Sequence, residues 1–222
     1  MKYLIFDAGP IISLTMNGML NVLEKLKQEF DGEFVLTPEV KYEVVDRPMK
    51  IRKYKLEALQ VQDLIDRGVF TMSNKIVPDS KLKKEKTRLL ALINGVLRTT
   101  NTGEKIKIAH DGETSCLAFA NLIKANNLIA VDERTTRMLS EAPKDLEKMM
   151  ERKLHMSLEA TLSLLDEMKK FHFIRSTELL YIAWKKGLVG NRKKEWLDAL
   201  LYGMKFKGCA VASSEIETIK KL

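Results

Sequence analysis

Residues Tyr3 to Leu14 read YLIFDAGPIISL, and the place of one carboxylate in that stretch decides how the rest of the chain is read. Tyr3 to Phe6 form a short apolar run suited to a buried strand. Asp7 interrupts it, and Pro10 suits the first turn of a helix that continues apolar from Ile11. Asp7 therefore lies at a strand-to-helix junction. The pattern returns in LIAVDERTTRML, residues Leu128 to Leu139, where an apolar run ends in Asp132 and a helical pattern follows.

Working outward, the first helix is expected to run through IISLTMNGMLNVLEKLKQEF. EFVLTP reads as a second strand, and EVKYEVV after it places Glu43 one turn beyond Glu39 on a helix that Pro48 stops. A charged, lysine-rich insertion over about residues 50–100 predicts helices near Lys53 to Arg67 and Lys81 to Arg98, with a short strand at Val69 to Ser73 between them. Asn101 to Gly112 reads as a loop, and a helix starting near Asp111 to Glu113 continues through TSCLAFANLIKANN. Leu146 to Lys170 reads as helix and FHFIRS as a fifth strand. TELLYIAWKKGLV and KKEWLDALLYGMKF read as two amphipathic helices closed by Gly187 and Gly208. Alternating strands and helices predict an α/β fold whose central parallel sheet is flanked by helices.

Composition narrows the function classes. The 222 residues are 45% hydrophobic and 31% charged, as in an ordinary globular chain. Lys and Arg number 38 against 30 Asp and Glu, a formal charge of +8 that favours a polyanionic partner such as nucleic acid. Two cysteines, Cys116 and Cys209, are too few for a disulfide framework and are expected as buried thiols in a reducing compartment. No apolar run approaches the ~20 residues that cross a bilayer, so a cytoplasmic location without membrane contact is expected.

Ligands of parallel α/β sheets collect at the carboxyl ends of the strands, where Asp7 and Asp132 fall, with Glu43 and Glu113 on helices of the same side. Carboxylates gathered without counter-charge raise one another's pKa, so four of them imply a divalent cation. Oxygen-only ligands point to Mg²⁺ or Mn²⁺, and the matching chemistry is phosphodiester hydrolysis by activated water. Other chemistries fit less well. An aspartyl-phosphate enzyme of the haloacid-dehalogenase type needs a second Asp two residues after the first, where this chain has Gly9. A dinucleotide fold needs a run of glycines that DAGPII lacks. Three histidines, of which His110 alone is near the acidic edge, make a Ser-His-Asp triad hard to build.

In order, LIFDAGPIISL, TPEVKYEV, DGETSCLAFANL and LIAVDERTTRML resemble the four acidic motifs of PIN-domain nucleases, a family of toxin ribonucleases and RNA-processing endonucleases. The resemblance spans most of the chain, and its helical tail looks like an archaeal-type branch. It implies a three-layer α/β/α fold plus extra helices, Mg²⁺ or Mn²⁺, and endonucleolytic cleavage of single-stranded RNA. By motif, Asp7, Glu43, Glu113 and Asp132 match the catalytic, metal-holding acids; the third is more often Asp in the toxin branch. Glu133 is the alternative fourth acid and Asp111 an auxiliary candidate. Residues 1–190 would form the PIN-like domain and residues 191–222 a helical extension packed on it. The family also implies an antitoxin or an RNA-processing partner. The alternative is a PIN-like RNA-binding or assembly module with weak or no catalysis.

Each acid has a plainer role open to it. Asp7 could cap the helix that follows, Glu43 could be a solvated helix residue, Glu113 could complement a helix N-terminus, and Asp132 with Glu133 could be an N-terminal charge cluster. These roles are compatible with metal binding. For RNA, KIRKYK, KLKKEKTR and NRKKEW offer backbone contacts, with Lys81, Lys83, Lys84, Arg192 and Lys193 as candidates. Interleaved acids also suit a plain solvated face. Tyr54 lies where it could stack on a base, whereas apolar neighbours favour core or interface packing for Trp196, on a helix that offers a surface to a second copy or a partner protein.

Overall fold

The computed structural model describes residues 2–123 and 125–222. Among these, five strands form one parallel sheet: β1 (Tyr3–Phe6), β2 (Glu33–Leu36), β3 (Thr71–Met72), β5 (Asn127–Ala130) and β7 (Phe173–Ile174). Their spatial order is β3-β2-β1-β5-β7, and β4 (Leu97–Thr99) pairs antiparallel with β6 (Leu158–Ala160) in a separate ribbon. Helices cover both faces of the sheet, so the fold is three-layer α/β/α. That double cover is why the middle of β1 and β2 carries apolar residues on consecutive positions rather than alternating ones. Phe6, Phe34 and Phe70 cluster there, with the Phe6 ring centroid 5.1 Å from Phe34 and 5.4 Å from Phe70. Burial of each such ring contributes roughly 1.5–3 kcal/mol.

The strand order fixes where a site can form. From the central β1 the chain moves to β2 on one side, whereas β5 leads to β7 on the other. A crevice opens at the carboxyl ends of two strands whose connections diverge in this way. Phe6 stands opposite Ala130, and the Asp7 N–H donates to the Ala130 carbonyl at 2.9 Å. Asp7 and the pair Asp132-Glu133 thus leave the sheet side by side.

The remaining elements frame the crevice. Helix α1 (Ala8–Met16) follows Asp7, and α2 (Asn21–Glu29) leads to β2. The long helix expected after Asp7 is divided here: Gly18 takes φ 69°, a left-handed conformation available to glycine, and reverses the chain between α1 and α2. Helix α3 (Pro38–Lys41) continues into a widened π turn, Tyr42–Asp46, that carries Glu43. The insertion supplies α4 (Lys55–Asp66) and α5 (Asp79–Ile93), the latter ending short of β4. Helix α6 (Asp111–Leu122) packs on α5; Lys124, at the end of the expected run, lies outside the described residues. Helices α7 (Arg134–Glu141) and α8 (Pro143–Leu154) follow β5. The helix expected over Leu146 to Lys170 stops at Leu154, because His155 turns left-handed at φ 54° and β6 then pairs with β4; a 3₁₀ segment, Leu162–Lys170, completes the stretch.

Helix α9 (Ser176–Lys185) contacts α1, α2, α10 (Lys194–Phe206) and α11 (Ser213–Ile219). Leu197, Leu201, Met204, Ile216 and Ile219 join Ile11 and Leu14 in one continuous core, so the C-terminal helices are built into the molecule. Cys116 and Cys209 are buried free thiols. Among the described residues no helix is long and apolar enough to cross a membrane.

Candidate functional site

Asp7 occupies the N-cap of α1, where extended backbone lets its carboxylate accept from the Gly9 N–H at 3.3 Å. Only 6% of the residue is exposed. Burial pushes its pKa up to about 7, overriding the lowering by the Ala8 and Gly9 N–H groups, and the charges of Glu43 and Glu133 act in the same upward direction. The capping role and a place in an acidic site coexist.

Glu43 faces the crevice from the π turn, half-buried, and burial again raises its pKa against the lowering influence of His110 and Arg47. Gly112 makes room for it: a Cβ at that position would stand 2.7 Å from Glu43 Oε1. Glu113, the third residue of α6, accepts from the His110 N–H at 2.7 Å, satisfying one of the free donors at the helix start. Its pKa is pushed well above the carboxylate range, first by burial, then by the hydrogen-bonding Glu133 carboxyl, then by Asp7. Two carboxyl groups can hydrogen-bond only while one keeps its proton.

Asp132 and Glu133 part company. Asp132, only 2% exposed, accepts from the Ser176 N–H at 2.8 Å and from the hydroxyls of Ser13 and Ser176 at 2.7 Å each. Its oxygens are occupied in clamping α1 and α9 to the end of β5. Glu133, in extended backbone ahead of α7, turns toward Glu113. Both acids line the cleft; Asp132 uses its oxygens in the serine contacts and Glu133 lies beside Glu113, so both candidates for the fourth acid stand at the site. Asp111 is held by Lys86 at 2.9 Å, a hydrogen bond that lowers its pKa, and Lys86 also reaches Glu39 Oε1 at 2.9 Å. The second oxygen of Glu39 is buried without a partner.

These groups line a cleft of about 880 Å³, walled on the far side by Gly208 and Ala210. Its lining is oxygen-rich, and burial first, with neighbouring carboxylates second, raises the pKa values of Asp7 and Glu113; Glu43 is raised by burial against the influence of nearby basic groups. The orphaned Glu39 oxygen and the space kept by Gly112 fit a small hard cation. Among the described residues, no three His, Cys, Asp or Glu side chains already surround a common point, so binding an ion would require the carboxylates to draw together.

The basic residues singled out from the sequence lie elsewhere. Lys81, Lys83 and Lys84 are exposed on α5, Arg192 and Lys193 are exposed ahead of α10, and the lining of the cleft includes none of them. The basic side chains that line it are Arg47 and the imidazole of His110. Trp196 is 44% exposed rather than packed into the core. Ser13, Ser176 and Arg47 carry no sequence signature of a site role; the helix-start spacing here belongs to Arg175 and Glu178, the N-cap and N3 of α9. Comparison of the chain with protein-family models, curated proteins and solved structures found no match, so the site is argued from its own chemistry.

Proposed function

We propose that the chain is a PIN-like, metal-dependent endoribonuclease that hydrolyses phosphodiester bonds in single-stranded RNA. The observation that carries this reading is the convergence of Asp7, Glu43, Glu113 and Glu133 on one cleft at the sheet's switch point. Mg²⁺ or Mn²⁺ held there would supply activation of water and neutralisation of charge on the phosphodiester. Asp7 and Glu113 give the site a rigid base, because each carboxylate is tied to the first turn of a helix. Glu43 and Glu133 complete the acidic lining, and Arg47 places positive charge in the cleft, where a scissile phosphate has to pass the acids. Asp132 acts through position: its serine clamp fixes the backbone from which Glu133 projects.

The test is cleavage of a mixed-sequence single-stranded RNA by wild type and Asp7→Asn with Mn²⁺, with Mg²⁺ and with excess chelator. Metal-dependent products from the wild type alone support the proposal; equal cleavage in chelator defeats it. The hydrogen-bonded Glu113–Glu133 pair favours a second reading, an RNA-binding module in which the shared proton is not displaced. That reading expects salt-sensitive RNA binding, no products in either metal, and binding indifferent to Asp7→Asn.

A further inference from the structure

Beside the acid cleft lies a second cavity, an apolar groove of about 400 Å³ between α1 and α4. The two share Ile12, Glu43 and Arg47 in their walls and so lie directly against each other. Ile12, Met16, Ile51 and Tyr54 are all exposed along the groove, with Ile12 at 46% and Met16 at 47%. The chain segment bounding it is basic: Arg47, Lys50, Arg52 and Lys53 are all exposed, and the Lys53 ammonium stands 5.1 Å from the Tyr54 ring centroid. Two carboxylates line it: Glu43, shared with the acid cleft, and Glu57. Glu57, in the first turn of α4, has its Oε2 buried with no hydrogen-bond partner. A buried acceptor left unpaired is costly and calls for a donor.

We infer that this groove is a nucleobase subsite, in which the base of a nucleotide next to the scissile phosphate packs against Ile12 and Tyr54 and donates its Watson–Crick edge to Glu57. The inference rests on the nuclease reading for the placement of that phosphate. An apolar slot with an aromatic wall suits the face of a base, and the basic rim suits the phosphates on either side of it. Glu57 supplies the selectivity. Guanine presents two adjacent N–H donors, N1–H and N2–H, that match a carboxylate's paired oxygens. Uracil flanks its single N–H with carbonyl oxygens that a carboxylate repels. Guanine is therefore favoured and uracil disfavoured.

The experiment is fluorescence-anisotropy binding of labelled hexauridylate, and of the same oligomer with one guanine near its centre, to the full chain carrying Asp7→Asn so that no cleavage intervenes. The guanine oligomer is expected to bind about 10-fold tighter. Adding Glu57→Gln should reduce that preference to about 2-fold, and Tyr54→Ala or the surface change Ile12→Ser should weaken both oligomers by about 10-fold. An unchanged preference in Glu57→Gln, or parental affinity in both Tyr54→Ala and Ile12→Ser, overturns the subsite. So does a dimer, seen by light scattering, that Met16→Glu dissociates while RNA binding stays intact, since the groove then belongs to a second copy. Cleavage by the wild type in Mn²⁺ is scored separately. Cutting with no groove effect removes only the subsite, and a Glu57-dependent preference without cutting removes only the nuclease.

Discussion

Ser13 donates its hydroxyl to Asp132 Oδ2 at 2.7 Å, joining the first helix to the end of β5 across most of the chain. Ser176 donates to the same oxygen. Asp132→Ala would leave two hydroxyls and one N–H buried without their acceptor, at about 1–3 kcal/mol each. A total loss of roughly 3–5 kcal/mol is expected, measured by urea denaturation. Asp132→Asn keeps an acceptor and should fold, with cleavage within a few-fold of wild type. Glu133→Gln should fold as well as wild type and lose cleavage by about 100-fold or more. The reverse pattern would return the metal-holding role to Asp132.

Stability should depend on pH with a sign opposite to that of most carboxylates. Asp7 has a folded-state pKa of about 7 against an ordinary 3.8, so the folded chain holds this proton more tightly than the unfolded chain. The stabilising contribution is complete below pH ~4 and is lost as pH rises through about 7. Glu43 and Glu113 shift in the same direction. Thermal melts in chelator should therefore show Tm falling between about pH 5 and pH 8, with Asp7→Asn more stable than wild type at the upper end. Added Mn²⁺ should raise Tm at pH 8 and do little at pH 5. A flat profile, or Mn²⁺ acting equally at both values, would count against a metal held by these acids.

Gly112→Ala separates stability from function. Alanine is the better helix former by about 0.5–1 kcal/mol, and Gly112 lies within α6. Its new Cβ would, however, stand 2.7 Å from Glu43 Oε1, the mobile end of a side chain that can swing aside. Tm should hold or rise slightly, while activity at limiting Mn²⁺ falls about 10-fold and recovers at higher metal. A substantial loss of Tm would mean that Glu43 has nowhere to go.

The sheet and the acidic edge were legible in the sequence because short apolar strands end abruptly in Asp7 and Asp132. Both members of Asp132-Glu133 line the cleft, but their different partners were not legible. Asp132 is engaged by Ser13 and Ser176, both distant in sequence. The single helix expected through Gly18 failed because amphipathic spacing persists across a turn that one left-handed glycine creates. Local periodicity was also blind to β6, whose partner β4 lies far upstream. Lys81, Lys83, Lys84, Arg192 and Lys193 are not among the residues lining the cleft, while Arg47, unremarkable in sequence, is.

Gly208 and Ala210 wall the cleft, and Ala210 is anchored there by its N–H to the Asp132 carbonyl at 3.1 Å and by its carbonyl to Arg137 at 3.0 Å. The cleft is thus assembled from residues at opposite ends of the order of synthesis. One wall of the pocket therefore depends on the docking of the C-terminal segment, and a change that loosens that segment would reshape the cleft without touching any of its acids.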